Sequence, residues 1–401
     1  MTGDSALERA KLEASTQQHR IGASAPPRVC LIALHFPEYT AKLAQALAEH
    51  GPILVVIYGD TARLELGLNF LSAFAAEGVS IVALKKPKGI FGVLSNAKRI
   101  ARAVKDFGPT VIHVQEALRD ELPLSLPFLP RVPMVLTIHD PEPHSGQEAR
   151  SFRFSRIRLY RWFVRRWVGD AIVHGRSLVE LVERRWPHLV GRVHVLSMGP
   201  YGQFPVEAEI NPPASGRLLF FGRIYKYKGL GHFVGLVKAL HRTGLPVTGV
   251  VAGTGPDLDP YRVEMVSAAC FELRDRQIPV AEVDSLFREA RVVVLPYTDG
   301  TQSGVAAMAL GYGKPVVAFA VGAIPELVRN GVNGYVVAAG DAHALQDAVR
   351  SILRDDATYM RLSAGARLLR DGEFSWAAIA TRTIGVYKVM LTRGRGRTAR
   401  S

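Results

Sequence analysis

The chain has 401 residues, 48% of them hydrophobic, and a formal net charge of +14 with a pI near 9.9, so it has material for two domains, each with its own core. No window of about 18 apolar residues runs without a charge, which excludes a membrane-spanning helix. The opening "MTGDSALERAKLEASTQQHRIGASAPPR" lacks the apolar run of a secretory signal, and Cys30 and Cys270, far apart in apolar surroundings, read as reduced core thiols of a cytosolic protein.

In chain order, residues 1–26 are a polar lead-in. "RVCLIALHF" then reads as a buried strand, "EYTAKLAQALAEHG" as a helix and "PILVVIYGD" as a second strand. "GVSIVALKK", "PTVIHVQ", "VPMVLTIHD", "DAIVHG" and "RVHVLSMG" are further short apolar strands, most of them separated by helical patterns. Continuously apolar strands alternating with helices predict a parallel sheet covered on both faces. The Pro-rich, aperiodic "FPVEAEINPPASG" (204–216) marks a linker between a domain spanning 27–205 and one spanning 206–370.

After the linker the alternation restarts. The predicted strands are "RLLFFGRI", "PVTGVVAGTG", "CFELRD", "RVVVLPY", "KPVVAFA" and "GYVVAA". The predicted helices are "GLGHFVGLVKALHRTG", "VAEVDSLFREA", "SGVAAMALGYG", "AIPELVRNG" and "DAHALQDAVRSILRD". The fold class is therefore α/β, two doubly wound Rossmann-like domains in tandem. Residues 371–401 are expected to form a helix returning to the first domain and a flexible basic tail, "TRGRGRTARS". Ligands of such sheets bind beyond the C-terminal strand ends, so the cleft between two facing domains is the expected site.

Three loops there carry chemistry. In "FFGRIYKYKGLGHF", Arg223 and Lys228 follow a strand and precede a helix, a setting that favours an anion such as phosphate. In "VVAGTGPDLDPY", Gly253 and Gly255 bracket a turn; a ligand contact and a plain turn suit the pattern equally. In "LPYTDGTQSGVAAMALGYGKPVV", Ser303 can cap a helix, Gly304 leaves its first turn bare, and Ala306, Ala307 and Ala309 keep the helix thin. Five polar residues, Thr298, Asp299, Thr301, Gln302 and Ser303, crowd the approach.

Charge is clustered. "RSFRFSRIRLYRWFVRR" (150–166) holds seven arginines and no acid, and "KKPKGIFGVLSNAKRIARAVK" (85–105) is a second basic stretch. Cations mixed with aromatic and aliphatic residues suit an anionic membrane surface, with Arg153, Arg156, Arg158, Arg161, Arg165 and Arg166 as its contacts. A solvated helix face that binds nothing is the rival reading. Nucleic acid would also suit the charge and is the weaker alternative.

The motifs "FGRIYKYKG", "AGTGP", "LFREARVVVLPY", "GYGKPVVAFAVGAIPELVRNGVNGYVV" and "EFSW" stand in an order that resembles the retaining, nucleotide-sugar-dependent glycosyltransferases of the GT-B fold, family 4 type. The likeness is specific across 217–376 and weaker across 28–205, where "VPMVLTIHD" and "RVHVLSMG" carry it. The resemblance implies that Arg223, Lys228, Gln302 and the amides of Ser303, Gly304 and Val305 hold the donor diphosphate. It places the nucleotide against Gly253, Gly255 and the loop "DRQIPVAEV", with Arg276 and Ile278, and it sets His139 facing sugar and acceptor. Two departures concern the donor sugar. Gly300 and Met308 stand where many relatives carry a pair of glutamates, leaving Asp299 as the substitute, and Glu38 and Tyr39 replace a glycine-rich loop. "DLD" (257–259) reads as a helix cap, and no residue set has metal-ligand spacing, so no metal or other cofactor is expected beyond the nucleotide sugar as co-substrate.

The function implied is transfer of a sugar from a UDP or GDP donor, with retention, to a hydroxyl of a lipid-linked glycan or polysaccharide precursor. The protein would be cytoplasmic, and peripheral at the inner membrane face. Rivals on the same fold are a nucleotide-sugar epimerase, for which His139, Asp140 and Asp299 are the acid/base candidates, and a nucleotide-sugar-binding partner without turnover.

Overall fold

The computed structural model describes residues 26–116, 121–141, 156–202, 211–213 and 216–398. The first domain contains strands β1 (Val29–Ala33), β2 (Ile53–Tyr58), β3 (Val79–Leu84), β4 (Val111–Gln115), β5 (Met134–Thr137), β6 (Asp170–Val173) and β7 (Val193–Val195). They form one parallel sheet in the order β3-β2-β1-β4-β5-β6-β7. Helices α1 (Pro37–Ala48), α2 (Gly59–Leu66), α3 (Gly89–Phe107), α4 (Glu121–Ser125), α5 (Arg156–Trp167) and α6 (Val179–Arg185) cover it. The second domain has β8 (Gly216–Phe221), β9 (Val247–Ala252), β10 (Phe271–Arg274), β11 (Val292–Leu295), β12 (Val316–Phe319) and β13 (Gly334–Val337), ordered β10-β9-β8-β11-β12-β13 and again parallel. Its helices are α7 (Leu230–Arg242), α8 (Asp259–Ser267), α9 (Val280–Glu289), α10 (Gly304–Gly311), α11 (Ile324–Leu327), α12 (Ala342–Arg354) and α13 (Asp356–Asp371). A long helix, α14 (Trp376–Thr398), closes the described chain.

Both faces of each sheet are buried, which explains the continuous apolar runs. Along β1, Val29 and Leu31 face one core, while Cys30 and Ile32 face another. The first of these cores is shared: it also takes in Leu219 of β8, Val293 of β11 and Tyr387 of α14. Helix α14 packs along α1, with the Trp376 ring edge-on to Tyr39 and its indole N–H donating to the Pro200 carbonyl (3.0 Å). Arg393 reaches Asp170 on β6 (2.9 Å).

Two predicted segments differ. "TRGRGRTARS" is not a flexible tail over most of its length, because α14 continues to Thr398. The helix predicted over "AIPELVRNG" is four residues only: Val328 turns extended, and Asn333 then takes over the local bonding, donating to the Leu327 carbonyl and accepting from the Arg329 amide. The linker 204–216 lies mostly outside the described residues.

In both sheets strand order reverses beside the first strand, at β1/β4 and at β8/β11. Loops leaving neighbouring strands diverge to opposite faces there and leave a crevice. The two crevices face each other.

Candidate active site

The inter-domain cleft has a volume of about 380 Å³ and is lined from both sides. From the first domain come Phe36, Glu38, Tyr39, Glu65, His139, Asp140, Met198 and Tyr201. From the second come Arg223, Tyr227, Lys228, Tyr297, Gln302, Ser303, Gly304, Val305 and Met308.

The second-domain wall is built for an anion. Ser303 caps α10, its hydroxyl accepting from the Ala306 amide (3.1 Å). The amides of the helix's first residues, Gly304 and Val305, have no partner within the helix by geometry and point their dipoles outward. A β-carbon added at Gly304 would meet nothing within 4 Å, so the helix start stands open to the cleft. Lys228 is only 9% exposed, with its ammonium 5.3 Å from the Tyr297 ring centre, while Arg223 is exposed and lies over Tyr225. One cation is thus buried against an aromatic ring and the other lies at the surface.

On the opposite wall, His139 follows β5 and is 3% exposed. Its Nε2 lies 3.1 Å from the Gln115 carbonyl oxygen, and its Nδ1 lies 3.3 Å from the Gln302 amide nitrogen. An amide oxygen can only accept and an amide nitrogen only donate, so these two contacts suit the tautomer with its proton on Nε2 and its lone pair on Nδ1. The chain continues inward: the Gln115 amide donates to His113 Nε2 (3.2 Å), and His113 Nδ1 donates to the Tyr387 hydroxyl (2.7 Å). Desolvation by burial pushes His113 down to about 3 and His174 to about 4. His174 Nδ1 donates to the Leu196 carbonyl (2.8 Å), and its ring stands 5.0 Å from that of His139.

Phe36 precedes α1 at φ 56°, in the left-handed region, the one non-glycine with positive φ among the described residues. Pro37 then starts the helix with its preset φ. The strained turn sets the Phe36 ring 4.4 Å from that of His139. Glu38 is fixed by the Gly202 amide (2.6 Å).

Several contacts cross between the domains. Thr301 donates to Asp140 Oδ1 (2.6 Å), Gln302 reaches His139, and Glu326 Oε1 accepts from the Arg176 amide (2.6 Å). Two of the five polar residues before α10 therefore hold the opposite domain, and Ser303 caps the helix. Thr298 donates to the Tyr227 carbonyl, both through its amide (2.7 Å) and through its hydroxyl (3.3 Å).

Other sequence candidates are placed differently. Asp299 accepts from the Gly300 amide (2.8 Å) in a local turn and does not line the cleft. Gly253 and Gly255 also stand apart from it. A β-carbon at either would lie 2.0 Å from the Gly222 carbonyl or 2.1 Å from that of Ile224, so both are needed for two loops to dock. Arg276 pairs with Glu282 (2.6 Å), and Ile278 packs on the shared core; neither lines the cleft. Asp257 accepts from the Lys226 amide, and Asp259 opens α8.

The membrane-facing expectation needs correction at Arg165. It is 3% exposed, donates to Glu116 (2.7 Å from Nε) and to the carbonyls of Asp140 and Pro141, and lies 4.1 Å over the Trp186 ring. It braces the turn after His139. Arg166 is exposed beside Trp162. Arg156, Arg158 and Arg161 lie on α5, and Arg153 falls outside the described residues.

Sequence reasoning missed Gln115, Glu65 and Glu326. Gln115 reads as a strand's last residue, and Glu65 sits in an unpredicted helix. Glu326 lies inside the predicted helix "AIPELVRNG", where nothing local marks it as a contact to the other domain.

Two facing parallel-sheet domains, with a cationic helix start opposite a histidine-bearing strand end, form the GT-B architecture. Residues 38–200 match the Glycosyltransferase Family 4 domain and residues 215–355 the Glycosyl transferases group 1 domain. The chain belongs to this family of glycosyltransferases. It is 28% identical over 393 residues to the glycogen synthase of Mycobacterium tuberculosis, covering 90% of this chain and 94% of that protein. It is 30% identical over 287 residues to the alpha-maltose-1-phosphate synthase of Mycolicibacterium smegmatis, covering 64% and 73%. Among solved structures, Anabaena HepE in complex with UDP and glucose superposes with a TM-score of 0.66 at 15% identity, covering 90% of this chain and all of that one. Sucrose-phosphate synthase from Thermosynechococcus elongatus gives 0.64 at 18% identity, covering 92% and 100%.

Proposed function

We propose that the enzyme transfers a sugar, with retention, from a nucleoside diphosphate donor to a hydroxyl of a glycan carried on a lipid. The observation that carries this reading is the cleft wall formed by Arg223, Lys228 and the bare start of α10. The leaving diphosphate develops charge as the bond from sugar C1 to its phosphate oxygen breaks. Fixed donors and cations stabilise that charge without reorganising. The acceptor oxygen bonds to C1 on the same face, and its proton passes to the departing phosphate oxygen, so no protein base is required. His139 orients the sugar: its Nδ1 lone pair accepts from a sugar hydroxyl once Gln302 gives up the contact. The anionic charge is met by Arg223, Lys228 and the helix dipole, with no metal ion in the scheme. The UDP and glucose of the structurally similar HepE complex are in keeping with a nucleoside diphosphate donor.

The lipid-linked acceptor rests on the outer face of the first domain. Ile90, Phe91 and Leu94 on α3 are 60%, 83% and 42% exposed, beside exposed Lys85, Lys86 and Lys88. Phe128 and Trp162 are also exposed. Apolar side chains among cations suit an anionic bilayer surface.

A thermal-shift screen with UDP, GDP and ADP sugars tests the donor; absence of stabilisation by all three would refute it. Flotation with anionic vesicles tests the membrane reading, and Ile90→Ser with Phe91→Ser should release the protein. Equal flotation of this variant would remove that part.

A further inference from the structure

The charges of the cleft are divided between its walls. Both cations that line it, Arg223 and Lys228, come from the second domain. Its three carboxylates, Glu38, Glu65 and Asp140, all come from the first domain, which contributes no lysine or arginine to the lining among the described residues. Phe36, Tyr39 and Tyr201 complete the acidic wall. Asp140 is engaged by Thr301 and Glu38 by the Gly202 amide. Glu65 makes no hydrogen bond to another described residue and remains exposed at the end of α2. Although the residue as a whole is exposed, its carboxyl is pushed up to about 7, first by partial burial and then by Glu38, against the pull of Lys86, which leaves it partly protonated at neutral pH.

Resting on the transferase reading above, we infer that Glu65, supported by Glu38, selects an acceptor whose receiving sugar is uncharged, and rejects one that bears a phosphate on that sugar. A carboxylate accepts hydrogen bonds from neighbouring hydroxyls in pairs, and the exposed ring of Phe36 can cover the apolar side of a sugar, Tyr39 being buried behind it. A phosphate at the same place would face the carboxylates of Glu38 and Asp140 and the partly protonated Glu65, and among the described residues no lysine or arginine lines that wall, Lys86 acting on Glu65 from outside the lining. Like charges set together suppress wrong partners. The donor's diphosphate meets the opposite wall, so the division also fixes which substrate enters on which side. On a lipid-linked acceptor, the lipid phosphate then lies outside the cleft and only the neutral glycan end enters.

The test uses the full chain and matched acceptors: maltose, cellobiose and mannobiose, each with its counterpart phosphorylated at O6 of the non-reducing sugar. Transfer is followed with radiolabelled UDP-glucose, GDP-mannose and ADP-glucose. The neutral member of a used pair should exceed its phosphate by about tenfold or more in kcat/KM. Glu65→Lys should narrow that ratio about tenfold by lowering KM for the phosphate, and Glu65→Gln should narrow it less. A merely structural role for Glu65 would move both acceptors together. Equal or preferred use of phosphorylated acceptors by the wild type, or a ratio unchanged in Glu65→Lys, overturns the inference and leaves the transferase reading standing. Failure to bind any of the three donors overturns the transferase reading, and this inference with it.

Discussion

Gln115 and Ser303 act on the cleft without supplying its charge. Gln115 decides which nitrogen of His139 carries the proton, because its oxygen can only accept from Nε2. Gln115→Leu removes that acceptor and leaves a buried N–H unpaired. The change should cost about 1–3 kcal/mol of stability and lower kcat more than KM, as seen in steady-state kinetics beside a melting curve. Gln115→Glu should keep the contact and recover part of the rate. Ser303→Ala removes a cap and should cost about 1 kcal/mol, with weaker nucleotide binding by calorimetry. Arg165 shows what sequence withheld at this scale. Seven arginines in seventeen residues read as one basic face, yet Arg165 is drawn inward by Glu116, 49 positions away. Nothing local distinguishes it from Arg166. Arg223 and Lys228 were legible because a strand end followed by basic residues and a helix is a local pattern.

The sheets and most helices were legible because burial on both faces writes continuous apolar runs. Helix α2 was missed because "GDTARLEL" is short and weakly amphipathic, and α13 because it follows α12 with only Asp355 between them. Strand β4 carries a consequence of its own. His113 on β4, and His174 just after β6, are buried and neutral, held at about 3 and about 4 chiefly by desolvation. Unfolded, each would take up a proton near pH 6.5. Between those values the unfolded chain binds more protons than the folded one, so stability falls as pH drops below about 6.5 and the loss is complete near the folded values. Above pH 6.5 the two histidines contribute no pH dependence. Each should cost on the order of 1 kcal/mol per pH unit within that window. Melting temperature should therefore drop by about 5 °C or more between pH 7 and 5.5, and His174→Gln should flatten that slope. Helix α14 belongs to the same unit, and Tyr387→Phe should destabilise by about 1 kcal/mol through the lost bond to His113.

At the scale of the whole molecule, the domains share a hydrophobic core, and polar contacts among the described residues join them, including Thr301 to Asp140, Gln302 to His139, and Glu326 to the Arg176 amide. Two of these partners sit in the loop that leads into α10. Substrate entry and domain closure are therefore coupled through the same residues. Glu326→Ala with Thr301→Ala should shift the population toward an open form. Small-angle scattering would then show a larger radius of gyration without ligand, and nucleotide affinity would fall about three- to tenfold as the closed fraction declines. An unchanged radius would show that these contacts do not hold the cleft closed. Donor binding rests on the cationic wall, and the most direct measurement is kcat/KM for sugar transfer by the Arg223→Ala, Lys228→Ala double variant, folded with a wild-type melting profile. A fall of about a hundredfold or more is the predicted result. Transfer at the wild-type rate would contradict it.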